Sequence, residues 1–180
     1  MKKIVAILMA VAMLLAFASC AKTNTNEELS TEADFVEEET SEAAAAGSIA
    51  DALAEEFMTL AAAGSDALTI AEALAQNAAV APISPAAMEL ELEENYLSGF
   101  DNYEVLGFDK VIMVAPMMGT IPFVSYVFEL SEGTDAAAFV QGLEENANLR
   151  WNICTMADEM ASATEGNLVF FVMAPASLEG

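Results

Sequence analysis

The sequence predicts an α+β domain, in which helices cover one face of an antiparallel sheet of about four strands. Apolar residues at helical spacing dominate residues 48–99, and β-branched and aromatic runs dominate residues 105–175. Helices followed by strands around a single further helix are typical of the α+β class rather than of alternating βαβ units. We therefore expect one domain over 48–175, preceded by a signal peptide (1–19) and a linker (20–47) and followed by a tail (176–180).

The first 20 residues have the layout of a secretory signal peptide. Lys2 and Lys3 form a short positive region, and an uncharged apolar run follows over Ile4–Ala18. This run is shorter than the roughly 20 apolar residues that a membrane-spanning helix needs. Its end, Phe17–Cys20, resembles the bacterial lipobox, although Phe17 stands where Leu is usual.

The lipobox predicts that Cys20 becomes the first residue of the mature chain and carries lipid. One acyl chain binds a membrane only marginally, at about 0.8 kcal/mol per buried methylene, so two or three chains would make attachment lasting. We therefore expect a lipoprotein on the outer face of the cell membrane. The alternative is an ordinary signal peptide in which Cys20 has no role.

The chain is strongly acidic, with 29 acids, 5 bases and no histidine. Removal of the signal peptide would leave Lys22, Lys110 and Arg150 against the same 29 acids, a net charge of −26. Such a chain repels nucleic acid and anionic lipid headgroups, so no nucleic-acid partner is expected. Cys154 would have no disulfide partner once Cys20 carries lipid, and we expect it to pack as a small apolar residue.

The segment 21–47 consists mainly of Thr, Asn, Glu, Ser and Ala, with Phe35 and Val36 as its only sizeable apolar pair. Eight acids lie within it, so the segment repels itself and has little to bury. This composition predicts a disordered, extended linker. An acidic docking tail or calcium-binding segment is the alternative, but the Asp, Asn and Gly spacing of a calcium loop is missing.

Three helices are predicted in the first part of the domain. Ser48 caps the first, which presents Ile49, Leu53, Phe57 and Leu60 on one face and ends at Gly64. The second starts at Ser65 and fades before Pro82, with Ile70, Leu74 and Ala78 turned inward. Ser84 and Pro85 resemble an N-cap and a first helical residue, which favours a third helix up to Gly99. Residues 88–93 also alternate as a strand does, and that alternative is weaker.

Strands are predicted in the second part. The runs 110–115 and 121–130 form an antiparallel pair across a turn at 116–120, and 168–173 is a continuous apolar run typical of a strand buried on both faces. Thr134 is expected to cap a helix that reaches Arg150. The segment 156–164 fits a helix or a strand.

Five residues are candidates for binding a partner. Met117 and Met118, followed by Phe123, could form an apolar loop that adapts to a flexible partner, and Arg150 and Trp151 belong to residue types enriched in interfaces. The alternatives are that the two methionines tuck under the helices, that Trp151 closes the core and that Arg150 pairs with an acid.

Most catalytic chemistries are disfavoured by the composition. Without histidine there is no Ser-His-Asp or Cys-His site, no Gly-rich phosphate loop follows a strand, and Glu89, Glu91, Glu93 and Glu94 are expected to form a solvated face. We therefore expect no enzyme, no catalytic residues, no metal and no cofactor, but a module that binds a protein, peptide or small ligand or assists envelope assembly. The alternative is a carboxylate-based or calcium-dependent envelope enzyme.

Four features of 84–175 occur in a characteristic order: Tyr96–Asp101, the strand pair 111–130, Gly133–Asp135 before a helix and Glu165–Asn167 before a final strand. This layout resembles a family of small lipoproteins from low-GC Gram-positive, clostridial-type bacteria, known as a domain of unknown function. Residues 121–123 depart from it, where a polar, acidic opening is usual. The resemblance implies an extracytoplasmic α+β lipoprotein and no catalytic residues.

Overall fold

A computed structural model describes residues 47–92 and 94–178. The predicted signal peptide, Cys20 and nearly all of the predicted linker lie outside these residues. The described elements are α1 (Ile49–Ala62), α2 (Ala67–Gln76), a 3-10 turn (Ala81–Ile83), β1 (Pro85–Glu89), β2 (Phe108–Pro116), β3 (Val124–Leu130), α3 (Ala136–Asn146), β4 (Glu159–Glu165) and β5 (Leu168–Ala174).

The helix α1 starts after Ser48, as predicted, whereas α2 starts at Ala67 with Asp66 as its cap, two residues after the start predicted at Ser65. The Ser48 hydroxyl accepts a hydrogen bond of 3.2 Å from the Asp51 N–H, and Glu159 on β4 accepts one of 3.0 Å from the Ala50 N–H. Both bonds satisfy free N–H groups in the first turn of α1. Asp66 caps α2 by accepting a hydrogen bond of 2.8 Å from the Thr69 N–H, and this bond holds the pKa of Asp66 below its usual value.

The apolar faces of α1 and α2 are largely as predicted. Ile49, Leu53, Phe57, Ile70 and Leu74 are buried, whereas Leu60 is half-buried. Ala78 is exposed because α2 ends at Gln76, before that position. Gly64 follows α1 with φ +85°, a left-handed conformation that glycine adopts without a side-chain clash.

The predicted third helix over 84–99 is wrong. Residues 85–89 form β1, which pairs antiparallel with β2 so that Pro85 faces Pro116 and Glu89 faces Ile112. Ser84 has φ +44° and reverses the chain between the 3-10 turn and β1, so it is not a helix N-cap. Pairing with a neighbouring strand outweighs the weak helix preference of Glu, Leu and Ala.

The sheet has five antiparallel strands in the order β1-β2-β3-β5-β4, one more than expected. The α+β class is confirmed. The segment 156–164 contributes β4, whose register on β5 runs from Glu159 opposite Ala174 to Glu165 opposite Leu168. The second predicted strand begins at Val124 rather than at residue 121, so the connection from β2 is longer than the turn predicted at 116–120.

Helices cover both faces of the sheet, which corrects the prediction of a single covered face. On one face, α1 and α2 pack on Val127, Phe170 and Val172. On the other, Phe139 and Leu143 of α3 pack on side chains that include Phe128 and Phe171. Neighbouring strand residues point to opposite faces, so a continuous apolar strand contributes side chains to a core on each face of the sheet. The burial of β5 from Val169 to Ala174 confirms the strand predicted there.

The helix α3 begins one residue later than predicted and ends earlier. Asp135, not Thr134, caps it, by accepting a hydrogen bond of 2.9 Å from the Ala138 N–H. The Thr134 hydroxyl donates to the Gly107 carbonyl oxygen over 2.9 Å. The helix ends at Asn146, which leaves Arg150 in an irregular segment that leads to β4.

Ser125 on β3 is fully buried, and its hydroxyl has no hydrogen-bond partner among the residues that the structure describes. An unsatisfied buried polar group costs about 1–3 kcal/mol. We therefore expect Ser125→Ala to raise the free energy of unfolding by about 1 kcal/mol in urea denaturation. Ser162→Ala, at a half-buried serine that donates to Glu144, is the control and should not stabilise the protein. A less stable Ser125→Ala variant would show that the hydroxyl finds a partner.

Candidate functional site

Two connections meet at one end of the sheet, where β2 ends and β3 begins. One is the β2–β3 connection (117–123), and the other joins α3 to β4 (147–158). The Asn152 side-chain amide donates to the Gly119 carbonyl oxygen over 3.2 Å, and the Thr155 hydroxyl donates to the Thr120 carbonyl oxygen over 3.2 Å. These bonds hold the two connections side by side.

Asn148 fixes the start of the α3–β4 connection. Its backbone N–H donates to the Gly99 carbonyl oxygen over 2.7 Å, and its side-chain amide donates to Asp101 Oδ2 over 2.8 Å. Its side-chain oxygen accepts from the Arg150 N–H over 2.9 Å. These contacts place Trp151 against the sheet without any regular secondary structure.

Between the two connections lies a cleft of about 520 Å³, which we call the apolar cleft. This volume falls within the range of small-molecule and peptide-side-chain sites, roughly 300–1,000 Å³. Its apolar walls are Met113, Ala115, Pro116, Ile121, Phe123, Val124, Trp151 and Ile153. Ser98, Gly119, Asn152 and Cys154 complete the lining, so no lining residue carries a formal charge.

One wall of the apolar cleft is held by a buried tyrosine. The Tyr126 hydroxyl donates to the Ser98 carbonyl oxygen over 2.9 Å, and burial raises the pKa of Tyr126 so that it remains a neutral donor. The next residue, Gly99, has φ +93°, and a side chain there would collide with the Met173 methyl group. The hydrogen bond holds the Ser98 carbonyl group, and the left-handed conformation of the next residue favours glycine there.

Three exposed apolar side chains lie in the two connections that border the apolar cleft, and we call them the rim. Met117 is 77 % exposed, Met118 is 84 % exposed and Ile153 is 97 % exposed. The two methionines therefore do not tuck under the helices. Several large exposed apolar side chains in connections that border one cleft indicate an interaction surface, whereas single exposed apolar residues are ordinary.

The sequence-predicted candidates are only partly brought together. Phe123 is buried and Trp151 is half-buried, and both line the apolar cleft. Arg150 is exposed beside Trp151 and forms no ion pair within the described residues, where Lys110 pairs with Glu89 at 3.7 Å. Cys154 is an exposed free thiol, so the expectation that it packs in the core is wrong.

Ile153 and Asn152 are site residues that sequence reasoning missed. The four residues 151–154 look like part of a core because three of them are apolar or small. The available signal was the absence of helical or strand periodicity around them, which is typical of a loop. Their role becomes visible only when Asn152 is seen to bind the β2–β3 connection.

The carboxylates of the described residues are distributed over the surface. None of them is buried, and Glu56, Glu129 and Glu159 are half-buried. Asp101 and Glu145 line a polar groove of about 600 Å³, and Asp109, Glu129 and Glu132 line another of about 470 Å³. Within residues 47–92 and 94–178, no group of three or more His, Cys, Asp or Glu side chains is placed to hold a metal ion.

Within the same part of the chain, no helix has the length and apolar character needed to cross a membrane.

Comparisons with protein families, with curated proteins and with solved structures find no match for this chain.

Proposed function

We propose that the protein is a lipid-anchored, extracytoplasmic module that binds a partner through the apolar cleft and does not catalyse a reaction. The observation that carries the binding role is the exposed rim of Met117, Met118 and Ile153 in the two connections that border an uncharged concave site. Apolar lining with a few placed polar groups is the usual composition of a binding site. The adaptable methionine side chains suit a partner of variable shape.

The anchor is supported by the sequence alone. The positive start, the apolar run and the lipobox-like Phe17–Cys20 agree in position, and the acidic segment after Cys20 would hold the domain away from the membrane surface. Envelope assembly and ligand capture are both compatible with a tethered binding domain. The resemblance to clostridial-type lipoproteins implies the same extracytoplasmic location.

The alternative, a carboxylate-based or calcium-dependent envelope enzyme, calls for a different arrangement of acids. A general acid needs a carboxyl group whose pKa is raised by burial, close to an ionised partner. The described carboxylates lie at the surface, and the apolar cleft contains none of them. This distribution supports binding as the function.

Site-specific photocross-linking in intact cells tests the proposal. A benzophenone amino acid in place of Ile153, with 97 % of that side chain exposed, should give a discrete adduct with the partner. Adding Met117→Ser and Met118→Ser should reduce the adduct about fivefold or more, because apolar interface anchors contribute 1 kcal/mol or more each. Gel mobility and mass would give the size of the adduct and so of the bound partner.

The matched control places the same amino acid at Met58, which is 37 % exposed on α1. The helix α1 contributes no residue to the lining of the apolar cleft. The same adducts from both positions, or no adduct from position 153, would contradict the proposed function.

A further inference from the structure

The uncharged lining of the apolar cleft and the acidic surface of the domain define the chemistry of the partner, and this inference rests on the proposed function. We propose that the apolar cleft takes a peptide segment whose apolar side chains enter it and whose flanking residues are Lys or Arg. The interior of the cleft determines which groups can enter it, and the surface of the domain determines the favoured charge of the flanking residues.

The interior of the cleft favours apolar groups of the partner. Its lining carries no charge, and the Asn152 amide already donates to Gly119. A charged group that entered would lose its hydration without an opposite charge to replace it, which is costly. The part of the partner that enters is therefore apolar, and Met117 and Met118 can follow its shape.

The acidic surface of the domain favours a positively charged partner. Of the 29 acids, eight precede Gly47 and 21 follow it, where Lys110 and Arg150 are the only bases. Such a surface attracts cations and repels anions, and it raises the rate at which a cationic partner arrives. Asp101, bound to Asn148, places one of these acids next to the α3–β4 connection.

The same charge disfavours two other occupants of an exposed apolar surface. A second copy of the chain would bring an equal negative charge, so self-association through the cleft would be opposed by repulsion. A membrane leaflet with anionic headgroups would be repelled in the same way. A cationic, apolar peptide segment satisfies both the cleft and the surface.

Replacing Arg150 should change the binding affinity in opposite directions for a cationic and for an anionic partner, which makes the inference testable. It is the exposed base next to Trp151, and no acid of the described residues pairs with it. A cationic flank would be repelled by Arg150, whereas an anionic ligand would be attracted to it. Arg150→Gln should therefore strengthen binding of the proposed partner by about two- to fivefold, the usual scale of one exposed charge pair.

The test measures binding to a chain that starts at residue 20 and carries Cys20→Ser. This chain keeps all 29 acids and every element described. Trp151 is the only tryptophan, so its fluorescence reports on the apolar cleft. The probes are two synthetic peptides with the same Leu-rich centre, one with Lys at both ends and the other with Glu.

We expect the Lys-flanked peptide to bind at least about tenfold more tightly than the Glu-flanked peptide, with affinity that falls as salt is raised. Met117→Ser, Met118→Ser and Ile153→Ser together should weaken its binding about tenfold or more without changing net charge. Lys110→Gln is the control for Arg150→Gln, since it removes the same charge about 10 Å along β2 from Met113, the nearest lining residue. Lys110 is already paired with Glu89, so its replacement should have the smaller effect.

Several outcomes would overturn the inference. Equal binding of the two peptides would show that the flanking charge does not determine affinity. Full binding to the triple serine variant would show that the rim does not contact the peptide. Tighter binding of the Glu-flanked peptide, weakened by Arg150→Gln, would assign an anionic ligand instead. A dimer in sedimentation that is lost in the triple variant would assign a second copy. In each case an adduct from position 153 would leave the proposed function standing, and its absence would remove both.

Discussion

Replacing Phe170 by Ala is expected to lower the free energy of unfolding by about 3–5 kcal/mol. Phe170 lies on β5, is fully buried and stacks on Phe57 of α1, with ring centroids 5.5 Å apart. Truncation leaves a cavity between the sheet and α1, and it removes an aromatic pair that contributes about 0.5–1.5 kcal/mol beyond area burial. Urea denaturation followed by circular dichroism would measure the loss.

Ile153→Ala is the matched control, since it also shortens a large apolar side chain but at a position that is 97 % exposed. The free energy of unfolding of that variant should stay within about 0.5 kcal/mol of the parent chain. A loss below about 1 kcal/mol for Phe170→Ala would show that Phe170 and Phe57 do not share a well-packed core.

Replacing Cys20 by Ser is expected to leave no cleaved chain stably attached to membranes. The proposed anchor is lipid on the Cys20 sulfur, and two or three acyl chains bind far more tightly than one. Serine cannot carry the thioether, so the chain should appear in the medium or remain as uncleaved precursor. Fractionation of cells into membrane and soluble parts would follow the redistribution.

Cys154→Ser is the control, because Cys154 is the other cysteine of the chain and is an exposed free thiol. That variant should stay in the membrane fraction. A Cys20→Ser chain that is cleaved and yet remains in the membrane fraction would overturn the anchor.

Local sequence signals were sufficient for the elements whose apolar spacing agrees with their packing. Ser48 and the spacing of Leu53 and Phe57 predicted α1, and the apolar run at 168–173 predicted a strand that feeds two cores. In these segments propensity, capping and burial favour the same structure. Such consistency is what makes a local prediction reliable.

Two strands could not be predicted because their structure depends on distant partners. The segment 85–89 has an apparent helix start, yet it pairs with 112–116. The β4 sequence, Glu159–Glu165, contains Ala, Ser and Glu and has little strand preference, but β5 supplies a full register of partners. Strand preference measures such packing more than an intrinsic tendency of the backbone.

The candidate site was predicted in part for a similar reason. Composition pointed to Met117, Met118 and Trp151, but burial does not follow from apolar character alone. Ile153 is almost fully exposed and Phe123 is buried, although both are large and apolar. Their positions are set by contacts such as Asn152 to Gly119, which join segments 33 residues apart in the chain.

Mass spectrometry of the N-terminal peptide tests the lipid anchor most directly. Lys22 is the first base after Cys20, so trypsin should release a short peptide over 20–22. The proposed anchor predicts that this peptide begins at Cys20 and carries diacylglycerol on its sulfur, with Met1–Ser19 absent. A free Cys20 thiol in a chain that still begins with its apolar leader would contradict it.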